Sequence, residues 1–250
     1  MQRTPSPLPL STKKIPARER LIFPLDVDSR EEVRDLVGRL GDAVWFYKLG
    51  LQLFMSGNYW ELVSELVDAG KKVFVDLKFF DVPETVASAV RRMRDCGAEF
   101  ATVHGNDAML AAAGAVERDR LKLLAVTVLT SLDAADLRDL GFPAPISVEE
   151  LVLSRARRAL AHGCDGVISS GLEARALREH LGDGFLIVSP GIRPFENQRV
   201  PDDQKRIATP EQAFRSGADY IVVGRPIRSA PDPRAAAMEI QATIAELFGS

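Results

Sequence analysis

The stretch VFVDLKFFDVPETV, residues 73–86, opens as a buried β-strand and then sets Asp76, Lys78 and Asp81 where such a strand should be apolar. Asp76 and Lys78 are two residues apart, so on an extended chain they face the same way, with Leu77 between them facing the other. A charge turned into a protein interior is costly unless it is paired. Buried ion pairs in turn add little stability over apolar replacements. The two residues therefore read as a structural ion pair or as chemistry, and chemistry gives a reason to keep them. Asp81 has two readings. It can join the charged group, or it can cap a helix, because Asp81-Val82-Pro83-Glu84 has the form of an N-cap with an acid three places on.

Working outward, one pattern recurs eight times: a short apolar run, a polar or glycine-containing turn, then a helix-like segment. The runs are LIFPL (21–25), VWFYKLG (44–50), KVFVDL (72–77), FATVH (100–104), LLAVTVL (123–129), DGVISS (165–170), FLIVS (185–189) and YIVVG (220–224). Short runs rich in Val, Ile, Leu and Phe suit parallel strands covered on both faces. Start signals mark the helices between them. DSREEVRDLVGRL (28–40) is expected to cap at Asp28, with Glu31 completing a capping box. TPEQAFRSG (209–217) has Thr209 as cap, Pro210 at the first helical position and Gly217 beyond the end.

Eight such alternations predict an α/β fold, a single-domain (β/α)8 TIM barrel over residues 21–250. An open doubly wound sheet would show a glycine-rich turn after its first strand, and LDVDSR (25–30) is not one. Residues 1–20, rich in Pro and basic side chains without an apolar signal core, read as a flexible N-terminal arm partly laid over the barrel. The connection 191–208, about 18 residues, is longer than ordinary loops of such folds, a length typical of functional lids or disorder.

The bulk properties narrow the function. The chain has 250 residues, 46% of them hydrophobic, with 32 basic against 35 acidic side chains and a formal charge of −3. No basic excess points to nucleic acid, and no apolar run approaches the roughly 20 residues a membrane helix needs. The two cysteines, Cys96 and Cys164, form no CxxC pair and read as small buried thiols of a reducing, cytoplasmic compartment rather than a disulfide or zinc site.

Barrel enzymes of this type work at the C-terminal ends of their strands, and there the ionisable residues collect. The first strand ends in Asp26, the second carries Lys48, and the third delivers Asp76 and Lys78 with Asp81 in the turn. Lys48 and Asp26 can extend the Asp76–Lys78 pair to a network of four, and Asp81 would make five. His104, after the fourth strand, reads singly as a structural histidine; His162 and His180 fall on helices. Gly224 and Arg225 follow the eighth strand, where backbone amides and an Arg fork suit a phosphate dianion. Gln204 and Lys205-Arg206 of the long connection could close over it.

These residues resemble the orotidine 5′-monophosphate decarboxylase family, from about residue 21 to 248. The resemblance rests on LDVD (25–28), YKLGLQLF (47–54), VDLKFFDVPETV (75–86), TVLTSL (127–132), SPGIRP (189–194), DDQKRIATP (202–210) and IVVGRPI (221–227), in that order. The Asp-x-Lys-x-x-Asp motif alone belongs to a wider suprafamily; the ordered set is specific. The resemblance implies conversion of orotidine 5′-monophosphate to uridine 5′-monophosphate in de novo pyrimidine biosynthesis, without metal or cofactor. It implies that Asp26 and Lys48 hold the ribose, that Asp76 lies beside the substrate carboxylate, and that Lys78 protonates C6. It places Asp81, with Thr85, in the partner's site of a homodimer. Thr130 contacts ligand, Pro190 packs near the pyrimidine, Gln204 reaches the phosphate, and Arg225 with the Gly224 amide grips it. Phe80 stands where many relatives carry His, and Glu84 where Asn or Thr is common, which bears on packing and the dimer edge.

Two other functions fit part of the pattern. A metal-dependent decarboxylase or aldolase of the suprafamily would use the first motif acid to help hold Mg2+. A non-catalytic phosphometabolite-binding barrel would not need Lys78.

Overall fold

A computed structural model describes residues 10–143, 145, 147–194 and 206–249. Among them, eight parallel strands close into a barrel in sequence order. They are β1 (Leu21–Pro24), β2 (Phe46–Gly50), β3 (Lys72–Phe79), β4 (Phe100–Val103), β5 (Lys122–Val126), β6 (Gly166–Ile168), β7 (Leu186–Ser189) and β8 (Tyr220–Val222). The helices are α1 (Arg30–Leu40), α2 (Leu51–Met55), α3 (Tyr59–Asp68), α4 (Pro83–Asp95), α5 (Asp107–Gly114), α6 (Ala134–Asp139), α7 (Val148–Ala161), α8 (Ala174–Leu181), α9 (Pro210–Arg215), α10 (Arg225–Arg228) and α11 (Pro233–Phe248). Every predicted strand is present, but most stop short of their apolar runs. The residues just beyond them still bond the neighbouring strand, as the Leu25 amide does the Lys48 carbonyl and the Val223 amide the Ile22 carbonyl, and lead into the loops that build the barrel mouth.

Alternation along each strand separates two cores. Ile22, Phe46, Phe74, Phe100, Leu124, Val188, Tyr220 and Val222 point inward and fill the barrel. Phe46, Phe100 and Tyr220 meet at ring centroid separations of 4.9–5.9 Å, two of the three contacts edge-on, the geometry aromatic quadrupoles favour. Outward residues such as Phe23, Tyr47, Val75 and Ile221 pack against the helical ring. The interior is thus a packed floor, and polar side chains belong above it.

Local signals set most helix starts. Thr209 caps α9, its hydroxyl accepting from the Gln212 amide while the Gln212 side chain accepts from the Thr209 amide, with Pro210 in the first turn. The cap expected at Asp28 sits one residue later. Ser29 accepts from the Glu32 amide at 3.2 Å, and Asp28 instead accepts from Gln52. A serine hydroxyl is short enough to turn back onto the third amide, which leaves the Asp28 carboxylate to Gln52. Asp81 does not cap α4 either. Val82 holds the cap position, and the Asp81 carboxylate accepts from the Val82 amide just outside the helix. Cys96 and Cys164 are free thiols, and burial pushes Cys164 up to about 12.

The stretch expected to be a flexible arm is anchored from Leu10 onward. Ala17–Glu19 form a 3-10 turn against α11, and Ile15 packs against the interior core. Asp219, fully buried at the start of β8, ties this end together. Its carboxylate accepts from Ser11 (2.5 Å), Lys13 (3.2 Å), Arg178 (2.7 Å) and the Ile187 amide (2.9 Å). Its carbonyl accepts from Arg20. The N-terminal segment, β7, β8 and α8 therefore share one carboxylate. Breaking a buried pair leaves an uncompensated charge, at a cost of about 3–5 kcal/mol. Asp219→Ala is accordingly expected to lower unfolding stability in urea by about that amount; a loss under about 1 kcal/mol would show that Asp219 is not the tie.

Candidate active site

The barrel mouth opens into a cavity of about 550 Å3, within the range of small-molecule sites. Phe74, Val126, Ile168 and Val222 line its apolar part. Asp26, Lys48, Asp76 and Lys78 enter from the β1–β3 side, and Arg193, Gly224, Arg225 and Arg228 from the β7–β8 side. A carboxylate–ammonium array thus faces a guanidinium-rich wall across an apolar floor.

The array is built on β2 and β3. Register sets Gly50 beside Asp76 and Lys48 beside Phe74. The Lys48 ammonium lies between Asp26 (3.4 Å) and Asp76 (3.3 Å). Asp76 also pairs with Lys78 at 3.0 Å and accepts from the Thr102 hydroxyl at 2.9 Å. Gly50 leaves room for this: a Cβ there would stand 3.3 Å from the Lys48 Nζ. Gly224 has a similar duty, since its Cβ would meet the Pro24 ring at 2.8 Å.

Lys78 is not carried by a regular strand. Its φ is 50°, in the left-handed region, where a side chain other than glycine costs about 1–2 kcal/mol. The reason is a slip in register. From Val75 to Phe79, β3 advances four residues while β4 advances two, from Ala101 to Val103. Bulges of this kind occur beside active sites and re-aim side chains. The period-two argument foretold the meeting of Asp76 and Lys78 but not the strained backbone that delivers it.

Electrostatics keep Lys48 and Asp76 ionised. Burial opposes the Lys48 charge, but Asp76 and Asp26 outweigh it and raise its pKa above the ordinary 10.5. Burial also opposes the Asp76 charge, and Lys48, Lys78 and the Thr102 hydroxyl hold it below the ordinary 3.8. His104 is lowered by burial and by nearby Arg155 and Lys78, so its ring is neutral at pH 7; it meets the edge of Phe80 and is not part of the cavity lining.

Of the other predicted residues, Thr130, Pro190, Gly224 and Arg225 line the cavity. Asp81 and Thr85 do not. Both are exposed at the start of α4, so the extension to a fifth charge does not occur within one chain. The sequence separation that suggested it spans a turn that carries Asp81 out of the mouth. Gln204 lies outside the described residues.

With this geometry in place, comparison with known proteins gives a family. The chain belongs to the orotidine 5′-phosphate decarboxylase / HUMPS family. The match covers residues 19–240. The chain is 61% identical to the orotidine 5′-phosphate decarboxylase of Methylococcus capsulatus, over 96% of this chain and 98% of that protein. It is 50% identical to that of Stenotrophomonas maltophilia, over 98% of both. Among solved structures it resembles the orotidine 5′-phosphate decarboxylase of Lactobacillus acidophilus, with a TM-score of 0.77 and 37% identity, covering 93% of this chain and all of that one.

Several cavity residues escaped the sequence reading. Arg228 donates to the Asp26 carbonyl and stands three places after Arg225, a spacing that shares a helix face and could have flagged it. Arg193 lies within the quoted SPGIRP but drew no separate role. Gln52, also in the lining, reaches Asp28 at 2.7 Å. Arg206, expected to close over the phosphate, is not in the lining: it pairs with buried Glu173 at 2.6 Å and donates to the Val128 and Leu129 carbonyls. It thereby fixes one stem of the 191–208 connection, while the Arg193 amide bonds the Ala208 carbonyl beside it.

The shifts at Asp76 and Lys48 carry a sign. Stability from a carboxylate held low is present above its unfolded value and lost as pH falls through its folded value. Stability from an ammonium held high is present below its unfolded value and lost as pH rises through its folded value. The difference in unfolding stability between this protein and Asp76→Asn should therefore be flat from about pH 5 to about pH 9, shrinking in acid as Asp76 is protonated and in strong base as Lys48 loses its charge. Shrinkage between about pH 6 and pH 8 would show that the carboxylate is not held as described.

Proposed function

We propose that this protein converts orotidine 5′-monophosphate to uridine 5′-monophosphate and CO2 in de novo pyrimidine biosynthesis. The observation that carries the reading is the Lys48–Asp76–Lys78 array at the mouth of a barrel of this family. Breaking the bond from C6 to the carboxylate leaves the electron pair on C6 as a vinylic carbanion. Stabilising such a species is near the upper end of what enzymes supply, up to about 23 kcal/mol. The Lys78 ammonium offsets the developing charge and then gives C6 its proton, and the resulting amine regains a proton from water. Asp76 pairs with the Lys78 ammonium at 3.0 Å, which holds it in place, and lies beside the substrate carboxylate.

Asp26 and Lys48 would hold the ribose, Thr130 and Pro190 the pyrimidine side, and Arg225 with the Gly224 amide the phosphate. Arg193 and Arg228 add positive charge to the same wall, which suits a dianion. Binding energy from the distant phosphate can then serve the reaction at C6. The reading needs no metal at Asp76. Both carboxylate oxygens already face an ammonium or a hydroxyl, and a divalent cation would meet two positive charges there.

The active form is proposed to be a homodimer in the cytoplasm, with Asp81 and Thr85 completing the partner's site. Support comes from exposed apolar side chains on two neighbouring connections: Leu51, Phe54, Met55 and Trp60 after β2, and Phe80 and Val82 after β3. Monomers seldom expose so much apolar surface in one region, and Asp81 stands between Phe80 and Val82.

Purified protein should consume the orotate absorbance of the nucleotide in the presence of EDTA; dependence on a divalent metal would favour the metal-using relatives instead. Lys78→Ala should retain a product analogue and lose roughly 10^4-fold or more in kcat, and near-normal turnover would refute the proton-donor role. Arg225→Ala should raise KM strongly, and an unchanged KM would move the phosphate elsewhere. Mixing Lys78→Ala with Asp81→Asn protein should restore about a quarter of the activity, because half the dimers are hybrids with one intact site each. No recovery on mixing would argue against the shared site.

A further inference from the structure

The register slip between β3 and β4 leaves Thr102 alone opposite Asp76, Leu77 and Lys78. Thr102 is fully buried. Its hydroxyl oxygen accepts from the Lys78 backbone amide at 2.9 Å and donates its own hydrogen to Asp76 Oδ1 at 2.9 Å. The same Oδ1 pairs with the Lys78 ammonium at 3.0 Å, and the other carboxylate oxygen faces Lys48. One side chain therefore touches both ends of the pair, the carboxylate of one residue and the backbone of the other.

We propose that Thr102 is a positioning residue whose hydroxyl replaces the broken β3–β4 ladder, holding Lys78 in its left-handed conformation and aiming the Asp76 carboxylate. The inference rests on the decarboxylase reading above, and it assigns to β4 a part in the site that the charged motif does not include. A hydroxyl is suited to the task because one oxygen both accepts and donates. Without it, the Lys78 amide loses its acceptor and the left-handed turn loses its restraint. Lys78 can then relax toward ordinary strand geometry. That shift carries its ammonium away from the position set by Asp76, and a displacement of about 1 Å at a reacting centre can cost about 100-fold in rate. Substrate binding through the β7–β8 wall does not pass through Thr102.

Thr102→Val keeps the shape and removes the hydroxyl; Thr102→Ser keeps the hydroxyl. The Val variant is expected to lose about 100-fold in kcat with KM within about threefold of the parent, and the Ser variant to recover to within about fivefold. Thr102→Ala reports the same split where Thr102→Val does not fold. Equal losses in the Ser and Val variants, or a Val variant with kcat within about threefold of the parent, would overturn the proposal. Turnover by the unaltered protein is measured alongside, and its absence would count against the decarboxylase reading rather than against Thr102. A crystal structure of Thr102→Val decides the positioning role independently of activity. Lys78 is expected to leave the left-handed region and its ammonium to leave Asp76. A Lys78 that stays at both would sink the inference even if the enzyme were active.

Discussion

A single buried carboxylate organises the mouth of this barrel. Asp76 is drawn out of water by the strands around it, and burial alone would favour its neutral form. Two ammonium groups and a hydroxyl reverse that preference. The same contacts work in the other direction, since Asp76 helps keep Lys48 charged although it too is buried. Burial opposes the charge of both Asp76 and Lys48, and each offsets that cost for the other. Removing one partner leaves a desolvated charge behind, so the array stands or falls as a unit.

The rest of the barrel supports that unit. The packed layer of Phe46, Phe74, Phe100 and Tyr220 closes the interior beneath it and keeps water from reaching the charges from below. Far from the mouth, Asp219 joins the N-terminal segment to β7, β8 and α8. Those two strands carry the Arg-rich wall at their other ends. The side chains of that wall therefore follow strands tied at their far ends, as preorganised electrostatic stabilisation requires. The bulge in β3 is where the register of the barrel strands slips, and it is where the Lys78 ammonium is aimed.

The legibility of the site varied with the distance over which each feature is determined. Asp26, Lys48, Asp76 and Lys78 could be grouped because each follows an apolar run, and the ends of such runs share one face of a barrel. Arg225 was recognisable beside Gly224 at the eighth run. Thr102 was not, because a threonine in FATVH looks like any β-branched strand residue. Only the slip against β3 turns its hydroxyl toward a carboxylate. Arg193 lies in a connection whose path follows from packing, and Gln52 and Arg228 in helices of five and four residues, too short for periodicity to mark a face firmly. Asp81 was readable as a charge near the motif, but the direction of the turn that exposes it was not.

By itself the sequence determined the alternation of eight strands and helices, the apolar floor, and the identity of the charges above it. Periodicity, capping and turn residues are properties of a few neighbouring positions, and they act before any distant contact forms. Tertiary structure alone decided the four-against-two register of β3 and β4, the left-handed backbone of Lys78, and the convergence of arginines from β7 and β8 on one wall. Each of these depends on which atoms of a remote strand are left to pair with, and that is settled only when the barrel closes.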